Sequence, residues 1–197
     1  MPTQSKPALL LYLHGFNSSP QSLKAQVMAE FCAEYRPDIR FVAPQLPVYP
    51  EPCVQMLEQL CDELTSEYQV GLVGSSMGGY LSTWLNKKYG FKAVLVNPAA
   101  KPYELLQDFL GPQLNPYTQE KYLLEPQHVE QLRAIDVPEI TNTSDFWLLQ
   151  QQGDEVLNYQ QAVDKYQGCK QTVEEGGNHS FVGFERYPSA IVEFLQL

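Results

Sequence analysis

Short apolar runs alternate with longer segments of helical periodicity along most of the chain. Ala8–Leu13 (ALLLYL) is apolar without interruption, as expected of a strand buried on both faces. Residues Gln21–Tyr35 carry helical spacing, with Leu23, Val27, Met28 and Phe31 on one face and Ser19 or Ser22 as a cap. Arg40–Ala43 predicts a short strand stopped by Pro44 and Pro47. Val54–Tyr68 predicts a helix with Val54, Leu57, Leu60, Cys61 and Leu64 along one side. Val70–Gly74 is a strand, and a helix over Met77–Tyr89 follows it directly, closed by Gly90 at the C-cap position. Lys92–Asn97 is the next strand, ended by Pro98.

The stretch 99–143 breaks this rhythm. It carries Pro102, Pro112, Pro116, Pro126 and Pro138, with helix candidates only at Tyr103–Leu110 and Gln127–Ala134. It reads as a lid-like insertion over the sheet. The alternation then resumes with a strand at Asp145–Gln150, a helix at Tyr159–Tyr166, a strand at Lys170–Glu174 and a last helix containing Ala190–Leu195. Strand–helix alternation with right-handed crossovers predicts an α/β fold. The expected form is a parallel sheet of about six strands, helices on both faces, in one domain over 1–197 with no convincing linker.

The 197 residues suffice for a full core, and 44% hydrophobic with 18% charged residues is ordinary globular composition. The formal charge of -10 opposes nucleic acid and anionic membrane surfaces. Cys32, Cys53, Cys61 and Cys169 have no C-x-x-C spacing, so neither a zinc ribbon nor a redox pair is expected, and the thiols read as reduced. The first apolar run is too short for a secretory signal, and no run approaches the ~20 residues of a membrane helix. A cytoplasmic protein is the expectation. Oligomeric state is not readable.

Candidate chemistry concentrates in three places. Gly74-Ser75-Ser76-Met77-Gly78-Gly79 matches G-x-S-x-G between a strand and a helix. A sharp turn there projects the Ser76 hydroxyl from the carboxyl edge of the sheet, and Gly74 and Gly78 avoid clashes around it. The glycine spacing centres on Ser76, with Ser75 the rival nucleophile. His14-Gly15-Phe16-Asn17 follows the first strand; its loop can supply the Phe16 N–H to an oxyanion hole, together with the Met77 N–H. The third place is Gly176-Gly177-Asn178-His179-Ser180-Phe181 after the last strand. Of His14, His128 and His179, only His179 follows a plausible acid in the order serine, acid, histidine. That acid is Asp154, just past the strand Asp145–Gln150, with Glu155 the alternative; Asp145 sits at the wrong edge. His14 reads as a loop-bonding residue and His128 as solvated or packed in the insertion. Lys24, Lys101 and Arg186 are loose candidates for anion contacts.

With these motifs in order the chain resembles the α/β-hydrolase superfamily, and within it the small bacterial YqiA-like esterases. The residues behind the narrower match are Tyr12-Leu13-His14-Gly15-Phe16-Asn17-Ser18-Ser19-Pro20, Gly74-Ser75-Ser76-Met77-Gly78-Gly79-Tyr80, Asn97-Pro98-Ala99 and Gly177-Asn178-His179-Ser180-Phe181. The resemblance implies hydrolysis of carboxylic esters or acyl thioesters with no metal or organic cofactor, on a trimmed version of the fold with a short insertion. Ser76, His179 and Asp154 would form the triad. The expected kcat/KM falls as pH drops through roughly 6–7, where a histidine base protonates. Two other readings share the scaffold: acyl transfer to an alcohol or amine, and a non-catalytic ligand-binding homologue. Nucleotide binding lacks its glycine motifs.

Overall fold

The computed structural model describes residues 6–197. Eight strands and seven α-helices follow in order: β1 Ala8–Leu13, α1 Leu23–Tyr35, β2 Arg40–Val42, α2 Pro50–Glu67, β3 Gln69–Ser75, α3 Met77–Tyr89, β4 Lys92–Val96, α4 Pro102–Leu105, β5 Gly111–Leu114, β6 Lys121–Leu124, α5 Pro126–Arg133, β7 Phe146–Gln151, α6 Tyr159–Lys165, β8 Lys170–Glu174 and α7 Pro188–Leu195. Six strands form one parallel sheet in the order β2-β1-β3-β4-β7-β8.

The apolar runs follow from burial on both faces. Leu9, Leu11 and Leu13 of β1 pack with Leu57 and Cys61 of α2 and Leu85 of α3. Leu10 and Tyr12 point the other way, to Met28 of α1 and Ile191 and Val192 of α7. Alternate residues therefore serve opposite cores, and neither face tolerates a polar residue.

Boundaries differ from expectation where proline and local packing act. α2 begins at Pro50, four residues before Val54, because a proline in the first turn lacks only an N–H that would be unpaired anyway. In α1 Met28 is buried and Val27 and Phe31 pack against the same core, as the predicted face requires, with Ala25 and Cys32 joining them, while Leu23 is 72% exposed. Leu23 is the first residue of the helix. The insertion departs furthest. The helix expected over Tyr103–Leu110 is one α-turn, α4, followed by a 3-10 turn at Leu106–Phe109. Between it and α5 lies an antiparallel hairpin, β5–β6, that no helix pattern suggested. β6 alternates exposed and buried residues, with Tyr122 and Leu124 inward. Gly111 and Pro112 in β5 disguise its partner.

The segment 99–143 rests on the ends of β1 and β3 through a third apolar cluster of Tyr80, Tyr103, Leu106, Tyr122, Leu124 and Leu132, with Phe16 and Met77 against it. Lys165 ties it down from α6, 3.2 Å from Asp136 and 3.1 Å from the Ala100 carbonyl. All four cysteines are free thiols.

Candidate active site

The order of strands places the site. From β1 the chain moves outward to β2, then returns across β1 to β3, so the connections leaving β1 and β3 diverge. The crevice at the carboxyl ends of such strands is where open α/β sheets take ligands. The loop carrying His14–Asn17 leaves β1 there, and Ser76 leaves β3.

Ser76 has φ 55° and ψ -119°, a strained conformation for a residue with a Cβ. Its N–H bonds the Val96 carbonyl at 3.1 Å, and its own carbonyl accepts from Gly79 and Ala99, each at 3.0 Å. These bonds over-determine the turn. Gly78 is required by approach: a Cβ there would drive into the Leu13 carbonyl. Gly15 lies beside the serine, where an added Cβ would stand 3.1 Å from the Ser76 Cβ. Ser75, the rival, is the last residue of β3 and is buried.

The three residues singled out in sequence come together. His179 Nε2 lies 3.2 Å from Ser76 Oγ, and His179 Nδ1 lies 2.8 Å from Asp154 Oδ2. The Asp154 side chain is fully buried and the His179 side chain 23% exposed. The other Asp154 oxygen accepts the N–H groups of Val156 (2.9 Å) and Leu157 (2.8 Å), which orients the carboxylate. Glu155 does not meet the imidazole; its carboxylate accepts the His179 main-chain N–H at 2.9 Å. That bond, foremost, holds the Glu155 carboxyl below its ordinary range. Asp145 lies at the opposite edge, in a 3-10 turn, bonded to Asn86.

The base loop is held by side chains that sequence reasoning passed over. Asn97, fully buried with φ 41°, donates to the carbonyls of Asn178 (2.9 Å) and His179 (3.1 Å) and accepts the Gln151 N–H (2.9 Å). Gln151 accepts from Asn178 and Val182 and donates to Glu174 and the Val182 carbonyl. Burial raises the Glu174 carboxyl, but hydrogen bonds from Arg186, Tyr187 and Gln151 outweigh it and bring the group to about 2. The available signal was polarity out of place: an asparagine and a glutamine closing otherwise apolar strands.

His14 is buried. Its Nε2 accepts the Leu46 N–H at 3.0 Å, so Nδ1 carries the proton and donates to the Gly15 carbonyl at 2.9 Å. Desolvation pushes its pKa below the ordinary value. The Gly15 carbonyl and the Phe16 N–H belong to one peptide unit, so this bond sets the direction of that N–H. Asn17 of the same loop (φ 51°) accepts from Tyr122 at 2.7 Å, joining the loop to the hairpin. His128 is buried and accepts the Glu125 N–H in a capping box at the start of α5. The loose cations are engaged: Lys101 faces Glu104, Arg186 pairs with Glu174, and Lys24 donates to the Ser180 carbonyl.

Against the His14–Asn17 loop and Met77 a mostly apolar cavity of about 60 Å³ is lined also by Leu46, Val48, Tyr122 and Leu124. Among the described residues no group of three or more His, Cys, Asp or Glu side chains is placed to hold a metal ion, and no helix is long and apolar enough to cross a membrane.

A six-stranded parallel sheet with this serine turn after its third strand and the acid and histidine loops after its last two is an α/β-hydrolase fold. Solved structures share it. Est1E from Butyrivibrio proteoclasticus superposes with a TM-score of 0.72 at 16% identity, over 98% of this chain and 89% of its own. Alpha/beta hydrolase domain-containing protein 10 from mouse gives 0.70 at 16%, over 98% and 92%. XC6422 from Xanthomonas campestris, described as an α/β serine hydrolase without lid, gives 0.62 at 12%, over 99% and 84%. The chain belongs to the uncharacterised protein family UPF0227, whose family model matches residues 9–196.

Proposed function

We propose that this protein is a serine hydrolase that cleaves carboxylic esters or acyl thioesters through an acyl-enzyme on Ser76. The observation that carries the reading is the continuous reach from Ser76 Oγ through His179 to the buried Asp154, at 3.2 and 2.8 Å. His179 takes the Ser76 proton as Oγ bonds the acyl carbon. Asp154 keeps the Nδ1–H tautomer and stabilises the imidazolium. The N–H groups of Phe16 and Met77 take the oxyanion, the latter at the N-terminus of α3, where the helix dipole favours negative charge. The bond to the leaving group breaks as His179 returns the proton to it. Water, activated by the same histidine, then releases the acid. An apolar acyl group fits the cavity bordered by Phe16 and Met77.

Among the fold neighbours named above, XC6422 is an α/β serine hydrolase, in keeping with this chemistry. Fluorophosphonate labelling with the adduct mapped by mass spectrometry tests it directly. The expected result is one adduct on Ser76, absent in Ser76→Ala and in heat-unfolded protein. A folded wild-type protein that takes no adduct would overturn the proposal. A panel of acyl esters and thioesters of increasing chain length then defines the substrate.

A further inference from the structure

Lys24 occupies the first turn of α1, and its ammonium turns back over the loop that carries His179. Nζ donates to the Ser180 carbonyl at 2.9 Å, the residue directly after the base. The side chain is partly buried. Burial pushes the amine down to about 8, and the nearby Asp154 carboxylate partly opposes that shift. Other charged side chains lie on the elements around it: Glu155 after β7, His179 in the base loop, Glu185 and Arg186 in the following 3-10 turn, and Glu193 on α7. Of these, Arg186 is turned to Glu174 and Glu155 to the His179 main-chain N–H. Burying an ammonium costs solvation that a methionine of similar length would not. Packing alone therefore gives no reason for a lysine here.

Resting on the serine-hydrolase reading above, we propose that Lys24 is a positioning residue for the base: its ammonium anchors the His179 loop to α1 through the Ser180 carbonyl. A charge-assisted hydrogen bond is about twice as strong as a neutral one. The anchor therefore weakens when the amine discharges. Asn97 and Gln151 hold the same loop from the sheet side, and Lys24 closes it from the helix side.

The test is the rate of fluorophosphonate labelling of Ser76 in the full-length protein from pH 6.5 to 10, with thermal melts of every variant. Wild-type protein is expected to label fastest near neutral pH and to slow as pH rises through about 8, where the amine loses its proton. Lys24→Met should label about tenfold more slowly at pH 7.5, the equivalent of one lost charge-assisted bond, and show no alkaline decline. Lys24→Arg, which keeps its charge throughout, should retain the rate and lose the decline. A Lys24→Met protein with the wild-type rate and pH profile overturns the proposal and makes the lysine a packing residue. If Lys24→Met does not fold, the wild-type profile and Lys24→Arg decide, and a flat wild-type profile to pH 10 overturns it equally. A wild-type protein that takes no adduct at any pH refutes the hydrolase reading itself, a different result from equal labelling of wild type and variant.

Discussion

Replacing Asn97 by alanine tests whether the base loop depends on one buried amide. The substitution deletes two donated bonds, to the Asn178 and His179 carbonyls, and one accepted bond, from the Gln151 N–H. Each is worth about 1 kcal/mol net, and the Gln151 N–H is left unpaired in a buried strand end, so the cost is about 2–4 kcal/mol. Alanine also fits φ 41° less well than asparagine, which adds to it. For a chain of this size that lowers Tm by roughly 4–16 °C. The functional effect should exceed what stability explains. Released from Asn97, the His179 backbone can drift, and a shift of about 1 Å costs on the order of 100-fold in a positioned reaction. The assay is kcat on an ester substrate, or the labelling rate of Ser76, at a temperature where thermal melts show both proteins folded. The control is Thr83→Val, which removes the buried contact of Thr83 with Tyr166 at 2.8 Å without touching the base loop. It should lower Tm and leave the rate alone. An Asn97→Ala protein that melts early but reacts at the wild-type rate refutes the reasoning.

Two further outcomes follow from buried charge. The pKa of His14 is depressed in the folded protein, so the unfolded chain binds the proton first as pH falls. The stability that His14 contributes is complete above about 6.5, the unfolded value, and is lost as pH drops below it toward the folded value. Urea midpoints measured from pH 7.5 to 5 should fall, and less steeply in His14→Gln; parallel slopes would contradict the assignment. Asp136→Asn leaves the Lys165 ammonium, only 10% exposed, without its carboxylate and should cost about 3 kcal/mol by chemical denaturation. The double variant Asp136→Asn/Lys165→Met should recover most of that loss, and a double variant no better than the single would show that the orphaned ammonium is not its source.

Much of this protein was legible in the chain itself. The sheet's apolar strands could be read because burial on both faces leaves a run such as ALLLYL no polar position. The serine turn could be read because Gly78 must clear the Leu13 carbonyl, a constraint that shows as a glycine. The order of Ser76, Asp154 and His179 followed from strand order, since all three leave the same edge of a parallel sheet. Tertiary structure alone decided the rest. The hairpin β5–β6 holds through contacts of Tyr122 with Asn17 across more than a hundred residues, and no local period records such a partner. Which carboxylate meets the imidazole, Asp154 or its neighbour Glu155, depends on how the loop after β7 turns over the one after β8. The roles of Asn97, Gln151 and Lys24 belong to the same class. Each polar side chain acts on a backbone group distant in sequence, and a hydrogen bond leaves no periodic trace in the chain that makes it.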